Sequence, residues 1–203
     1  MSTAIEAMQE RRSVKRYEDY VIPEQDLQDI LAAAASAPSS WNLQHWRYLV
    51  ITSKEMKEKI LPIAYNQQQV VEASATIVML GDLEANKTGT ELFGYAVQQG
   101  MLTQEIHDSL LGQINGVYQI PQIARDEAIL NTSLSAMQLM LAAKEKGYDT
   151  CPMGGFDKEA IVKALNIPDR YIPVMLITVG KAAEPARPAG RLPLERLVIN
   201  ESF

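Results

Sequence analysis

Cysteine occurs once in the 203 residues, at Cys151. No disulfide can therefore close within the chain, and a reducing, cytoplasmic setting is expected. Histidine occurs twice, at His45 and His107, and neither has a Cys or second His at ligand spacing. A His-rich metal site is thereby excluded, a Ser-His or Cys-His pair has few members to draw on, and no metal is expected. The longest apolar runs, such as 75–80 (ATIVML), are strand-length and far below the ~20 residues of a membrane span. The N-terminus is polar and enters a charged segment directly, which does not read as a secretory signal. Positive charge is in deficit, with 19 Lys and Arg against 25 Asp and Glu, so the extended basic face of a nucleic-acid binder is not expected. Motifs are missing too. There is no G-x-G-x-x-G, no P-loop and no G-x-S-x-G elbow. Asp82 and Glu84 lie close together after a strand, but no matching acid pair for glycoside chemistry accompanies them. No side chain stands out as a catalytic acid, base or nucleophile. If the chain is an enzyme, a bound cofactor carries the reaction.

What is present reads as one α+β domain over 1–203. Short helices are expected over 3–10, capped by Ser2 or Thr3 with Ile5 and Met8 on one face, and from Pro23 to before Pro38, with Leu27, Ile30, Leu31 and Ala34 inside. Strands are expected at 47–52, 75–80 (buried on both faces) and 174–179. Residues 84–127 have a helical pattern with breaks near Gly100, Gly112 and Gly116, an excursion from the sheet. A long helix over 131–146 is expected to bury Leu134, Met137, Leu141 and Ala142. The stretch 151–156 (CPMGGF) reads as a loop leading to Asp157, an N-cap. The tail from Lys181 to Arg191 is proline-bearing and must run extended.

Four stretches could carry chemistry. "RRSVKRY" at 11–17 concentrates four cations and a hydroxyl in an acidic chain. That suits a phosphate monoester, which arginine grips as a fork and lysine as a point charge; a solvated basic patch at a helix end is the alternative. Ser39, Ser40, Asn42 and Gln44 offer hydroxyls and amides to the rim of a heterocycle, or merely connect a helix to a strand. Gly154-Gly155 allows close backbone approach to a ligand, or a tight turn. Arg191 could return a cation to the first cluster or be simply exposed.

Taken in order, "RRSVKRY", "APSSWNLQHWRYLVI", "CPMGGFD" and "GRLPLERLV" resemble the nitroreductase family of FMN-dependent oxidoreductases, across nearly the whole chain. The resemblance implies a nitroreductase-like central antiparallel or mixed sheet flanked by helices and completed by swapped termini. It implies a homodimer with two tightly, non-covalently held FMN at its interface. On this likeness Arg11, Arg12, Ser13 and Lys15 hold the phosphate, ribityl chain and pyrimidine edge, with Lys15 toward the ring, and Arg191 reaches the phosphate. Pro38, Ser39 and Ser40, with Asn42 beside them, are lent by the partner subunit. Asn66 contacts the flavin and Gln69 replaces a lysine of some members. Gly154 and Gly155, preceded by Met153, match the loop whose backbone amide faces flavin N5; Gly154 stands where some relatives carry Glu, and Ala189 where some carry a second base. Trp41 borders the open flavin face in this scheme, where it could stack on substrate, narrow the site or pack in a dimer core. The excursion at 84–127 corresponds to a variable substrate lid. The implied activity is ping-pong: NADH or NADPH reduces FMN, which then reduces a nitroaromatic, quinone or similar small acceptor. A flavin-binding sensor or storage protein, and a flavin-fragmenting or dehalogenating relative, are the alternatives on the same fold.

Overall fold

The computed structural model describes residues 4–203; the two expected N-cap residues, Ser2 and Thr3, lie outside them. The described residues form eight α-helices and a four-stranded antiparallel sheet. The strands are β1 (Trp46–Ile51), β2 (Ala75–Asp82), β3 (Asp149–Met153) and β4 (Tyr171–Gly180), in the spatial order β1-β2-β4-β3. The helices are α1 (Ala4–Glu10), α2 (Glu24–Ala35), α3 (Lys54–Ile60), α4 (Gln69–Glu72), α5 (Asn86–Gln98), α6 (Gln104–Val117), α7 (Pro121–Glu145) and α8 (Lys158–Leu165). None is long and apolar enough to cross a membrane.

All eight residues of β2 are buried, because its alternating side chains feed two separate cores. Ile77 and Met79 meet Leu27, Ile30 and Ala34 of α2 and Ala136, Leu139 and Ala143 of α7. Val78 and Leu80 point the other way, toward Ile60, Val70, Cys151, Met153 and Ile161. The sheet is thus sandwiched between helices on both faces, and its strand edges remain the places where a site can open. The Ser53, Thr103 and Asp157 side chains accept from backbone N–H groups of α3, α6 and α8, which fixes three helix starts.

Five expectations are corrected. Of the expected loop 151–156, residues 151–153 are strand, the second half of β3. Pro152 is tolerated because β3 is an edge, and the Thr150 carbonyl faces away from β4 to accept from Val14 N–H at 3.1 Å. Two residues on, the proline nitrogen faces the same outward side, so β4 loses no hydrogen bond. Gly112 and Gly116 do not break α6; only Gly100, in a left-handed conformation (φ 68°), separates α5 from α6. The long helix starts ten residues earlier than expected, with Pro121 in its first turn. From Ala124 to Ala136 its buried face is made of small and polar residues, among them Ala128, Asn131, Thr132, Ser135 and Ala136, and only beyond them do Leu139 and Met140 join the core. The large apolar residues Leu130, Leu134 and Met137 lie on the opposite side at 56%, 43% and 38% exposure. On α1, Ile5 and Met8 are likewise exposed and Ala7 is buried.

Small residues face the sheet around Ala128 because α7 comes very close to it there. A Cβ built on Gly81 would sit 2.9 Å from the Ala128 carbonyl oxygen. Neither partner there is a flexible side chain, so Gly81→Ala must push helix from sheet. We expect it to lower unfolding stability by about 1–3 kcal/mol, measured as a fall in the urea midpoint without a change in slope.

Candidate functional site

The segment 11–15 lies along the outer edge of β3. Ser13 bridges Thr150 in parallel, through the Val14–Thr150 hydrogen bond. Val14 turns into a small core with Tyr17 and Ala73, which leaves Ser13 and Lys15 on the opposite, open side. The extended tail passes over the same edge, and the two together enclose a cleft of about 380 Å³ lined by Arg11, Arg12, Ser13, Lys15 and Arg191, with Arg16, Arg187 and Glu184. The structure therefore brings the expected basic residues together from both ends of the chain. Arg16 is turned outward to Glu72 at 3.1 Å, and Tyr17 is buried.

The cations are not equivalent. Arg12 donates to the carbonyls of Gln9 and Arg11, the carbonyl end of α1, where a cation suits the helix dipole. Arg191 donates to the Gly190 carbonyl at 2.9 Å. Arg11 is different: its Nη1 is buried and has no hydrogen-bond partner among the described residues. A desolvated guanidinium nitrogen facing a basic cleft is incomplete without an anion. Beneath it, burial pushes the Cys151 thiol up, against opposing pulls from Lys15, a hydrogen bond from Ser13, and Arg11; it is a packed side chain rather than a nucleophile.

At the far end of β3, the carbonyls of Gly154 and Gly155 are both engaged. Phe156 N–H donates to the Gly154 oxygen at 3.2 Å and Gln67 Nε2 to the Gly155 oxygen at 2.7 Å. Among the described residues neither glycine N–H has a partner, and both residues are exposed. Because 11–15 runs parallel to β3, Lys15 lies on the side of this donor pair and Arg11 away from it. Met153 is buried in the core beneath. Asn66 is exposed in a left-handed turn (φ 56°), and Gln69 is buried, its Nε2 donating to Gln67 Oε1 at 3.2 Å. Cleft, glycine donors and the 65–69 turn form one continuous edge.

The remaining candidates are not on it. Pro38, Ser39, Ser40, Trp41 and Asn42 lead into β1 at the opposite edge, three strand spacings or about 14 Å across the sheet. This loop is strained. Trp41, Asn42 and Gln44 all have positive φ (51°, 56° and 51°), an outlier for a residue as bulky as tryptophan. Gln44 N–H donates to Ser39 Oγ at 3.0 Å, and Ser40 N–H to the buried Asn131 Oδ1 at 2.8 Å. Asn131 is in turn held by Glu127, through its carbonyl and carboxylate. Trp41 is half-buried against Leu43, Ala85 and Ile114. Asp82, fully buried, takes two 2.7 Å bonds from Arg170 and so is a structural anchor rather than an acid.

Sequence reasoning missed Arg187, Gln67 and Asn131. Arg187 was visible only as a charge in the tail, Gln67 as one of three consecutive glutamines, and Asn131 as the first residue of the expected long helix.

Residues 8–181 match the model of the nitroreductase family. YodC of Bacillus subtilis, which carries an NAD(P)H nitroreductase name, is 52% identical over 97% of this chain and 98% of its own. An NAD(P)H:FMN oxidoreductase structure from Staphylococcus epidermidis superposes with a TM-score of 0.91 at 38% identity, covering 98% of this chain and 96% of the other. A nitroreductase from Exiguobacterium sibiricum, solved in complex with FMN, does so with a TM-score of 0.90 at 37% identity, over 98% and 97% of the two chains. The chain belongs to the nitroreductase family and is an oxidoreductase.

His45, at the strained loop, is fully buried and bonds Tyr118 Oη through Nε2 at 2.7 Å. Burial lowers its pKa to about 4, despite the nearby Glu127 and Asp82. The unfolded chain, with an ordinary histidine near 6.5, therefore binds the proton first as pH falls, and stability is lost between pH 6.5 and 4. In urea unfolding, His45→Gln should lose about 2–3 kcal/mol less than the wild type between pH 7 and pH 4.

Proposed function

We propose that the protein is an FMN-dependent oxidoreductase that uses NADH or NADPH to reduce nitroaromatics, quinones or similar small acceptors. The observation that carries this reading is the buried, unpartnered Arg11 Nη1 in a basic cleft on the β3 edge, with two unpartnered glycine N–H groups following the same strand. A phosphate at one end and a heteroatom-bearing ring at the other satisfy both, and a flavin mononucleotide has that polarity. Arg11, Arg12, Ser13 and Arg191 would hold the phosphate and ribityl end; Lys15, Asn66, Gln69, Gly154 and Gly155 would face the ring. When bound, FMN would supply the redox chemistry, a two-electron exchange with the nicotinamide and then with the second substrate. The chain's own work is to place both substrates at one ring face and to stabilise the electron-rich ring with the Lys15 charge and the glycine donors.

The reading includes a homodimer. One chain holds only half of the set, because Ser39, Ser40 and Asn42 sit at the other sheet edge; a second copy can bring them to the cleft. Leu130, Leu134 and Met137 of α7, Ile5 and Met8 of the adjoining α1, and Leu192, Leu194 and Leu197 of the tail are all exposed. An apolar surface of this extent suits burial against another chain. Exchange of the apolar tails would complete the sheet, and the exposed side of Trp41 would border the acceptor. The lone buried thiol suits a cytoplasmic location.

The purified protein should be yellow, or turn yellow with FMN, and bleach when NADH or NADPH is added without oxygen. No FMN uptake overturns the proposal; uptake without bleaching marks a flavin-binding protein without turnover. Arg11→Ala should raise the FMN Kd about 10- to 100-fold, the worth of one charge-assisted bond. Leu134→Glu with Met137→Glu should shift the protein to monomers in sedimentation and release FMN with the same concentration dependence.

A further inference from the structure

We propose that Gln67 is a positioning residue that aims the Gly154–Gly155 donor pair at the cofactor ring, and so sets its reduction rather than its affinity. The inference rests on the FMN reading. A glycine pair has no side chain to hold it, so its exposed N–H groups keep one direction only if its carbonyls are held elsewhere. Phe156 N–H holds the first carbonyl within the turn itself. Gln67 reaches across from another element to hold the second, at 2.7 Å.

Everything about Gln67 fixes that reach. Its Nε2 also donates to the Ala64 carbonyl at 3.1 Å, which uses both amide hydrogens. Its Oε1 accepts from Gln69, which is only 5% exposed. The amide is therefore locked against rotation by three partners. The turn that presents it is strained: Tyr65 and Asn66 both have positive φ, at 54° and 56°. That conformation is held by Asn66 N–H on the Leu61 carbonyl at 3.0 Å. Two successive non-glycine residues in the left-handed region is a costly way to build a turn, and such strain concentrates where a side chain must be placed for function. The anion end of the cleft is carried by Arg11, at the other end of the 11–15 segment, so aim and grip belong to different residues.

Replacing Gln67 leaves the loop attached, since Asp157 N–H still donates to the Ile63 carbonyl at 2.9 Å and Asp157 still caps α8. Gln67→Met keeps the length and removes the hydrogen bonds. Gln67→Glu places an acceptor against the Gly155 carbonyl. With holoprotein, we expect the rate of flavin bleaching at saturating NADH or NADPH to fall roughly tenfold in Gln67→Met and further in Gln67→Glu, as a preorganised donor loses its aim. The flavin midpoint potential should move to more negative values in the same order. The FMN Kd should change less than about threefold, well short of the change expected at Arg11. FMN-loaded variants with wild-type bleaching rate and potential overturn the role of Gln67 and leave the FMN reading standing. So does a loss of affinity equal to the loss of rate, which marks a structural part only. A wild-type protein that takes up no FMN overturns both.

Discussion

One hydrogen bond, from Val14 N–H to the Thr150 carbonyl, sets the site. It lays the basic segment along the free edge of β3 and fixes its direction as parallel to that strand. From this register follow the burial of Val14, the exposure of Ser13 and Lys15, the placing of Cys151 under the cations, and the order of charge and glycine donors along one line. A shift of one residue would exchange the faces, driving the flanking Ser13 and Lys15 toward the core that Val14 fills. The position of every cleft residue on the N-terminal side thus depends on a contact made by backbone atoms alone.

The second constraint is the width of the sheet. Strand order β1-β2-β4-β3 separates the basic edge from the 38–42 loop by two intervening strands, and no movement short of unfolding brings them together in one chain. The proposed dimer resolves this, and α7 is the element that relates its parts. Its middle carries Asn131, which holds the strained loop through Ser40. On its reverse side lie Leu134 and Met137, the residues that need covering. Loop geometry and the proposed subunit contact would therefore be properties of the same rigid helix.

Much of this was legible in the residues. The strands β1, β2 and β4 follow from apolar runs, the start of α8 from Asp157, and the cation cluster from its contrast with an acidic chain. Other parts were hidden for physical reasons. Proline, two glycines and a cysteine made 151–156 look like a loop, because sequence does not tell an edge strand from an interior one, and only at an edge is Pro152 harmless. The apolar stripe of α7 pointed to the wrong face. Periodicity reports which side of a helix is greasy; here the close approach of Ala128 to Gly81 demands small residues inside along 124–136 and leaves Leu130 and Leu134 out. Gln67 could not be chosen from among Gln67, Gln68 and Gln69 without the turn that aims it. Asn131 read as the first residue of the long helix rather than as the acceptor that holds a loop 91 residues earlier in the chain.

Pro152 has a consequence beyond being tolerated. Thr150 offers its outward groups to the 11–15 segment, and the next residue facing that way is a proline with no N–H to give. The pairing begun at Ser13 and Val14 therefore stops after a single bridge, like a zipper with a closed tooth. Had an ordinary residue stood there, the N-terminal segment could have continued as a fifth strand, committing the backbone around Lys15 to the sheet. The interruption keeps that backbone off the edge and Lys15 at the mouth of a wedge. It also deprives a foreign strand of a donor at this exposed border. A missing hydrogen atom thus both holds the cleft ajar and guards the sheet against unwanted growth.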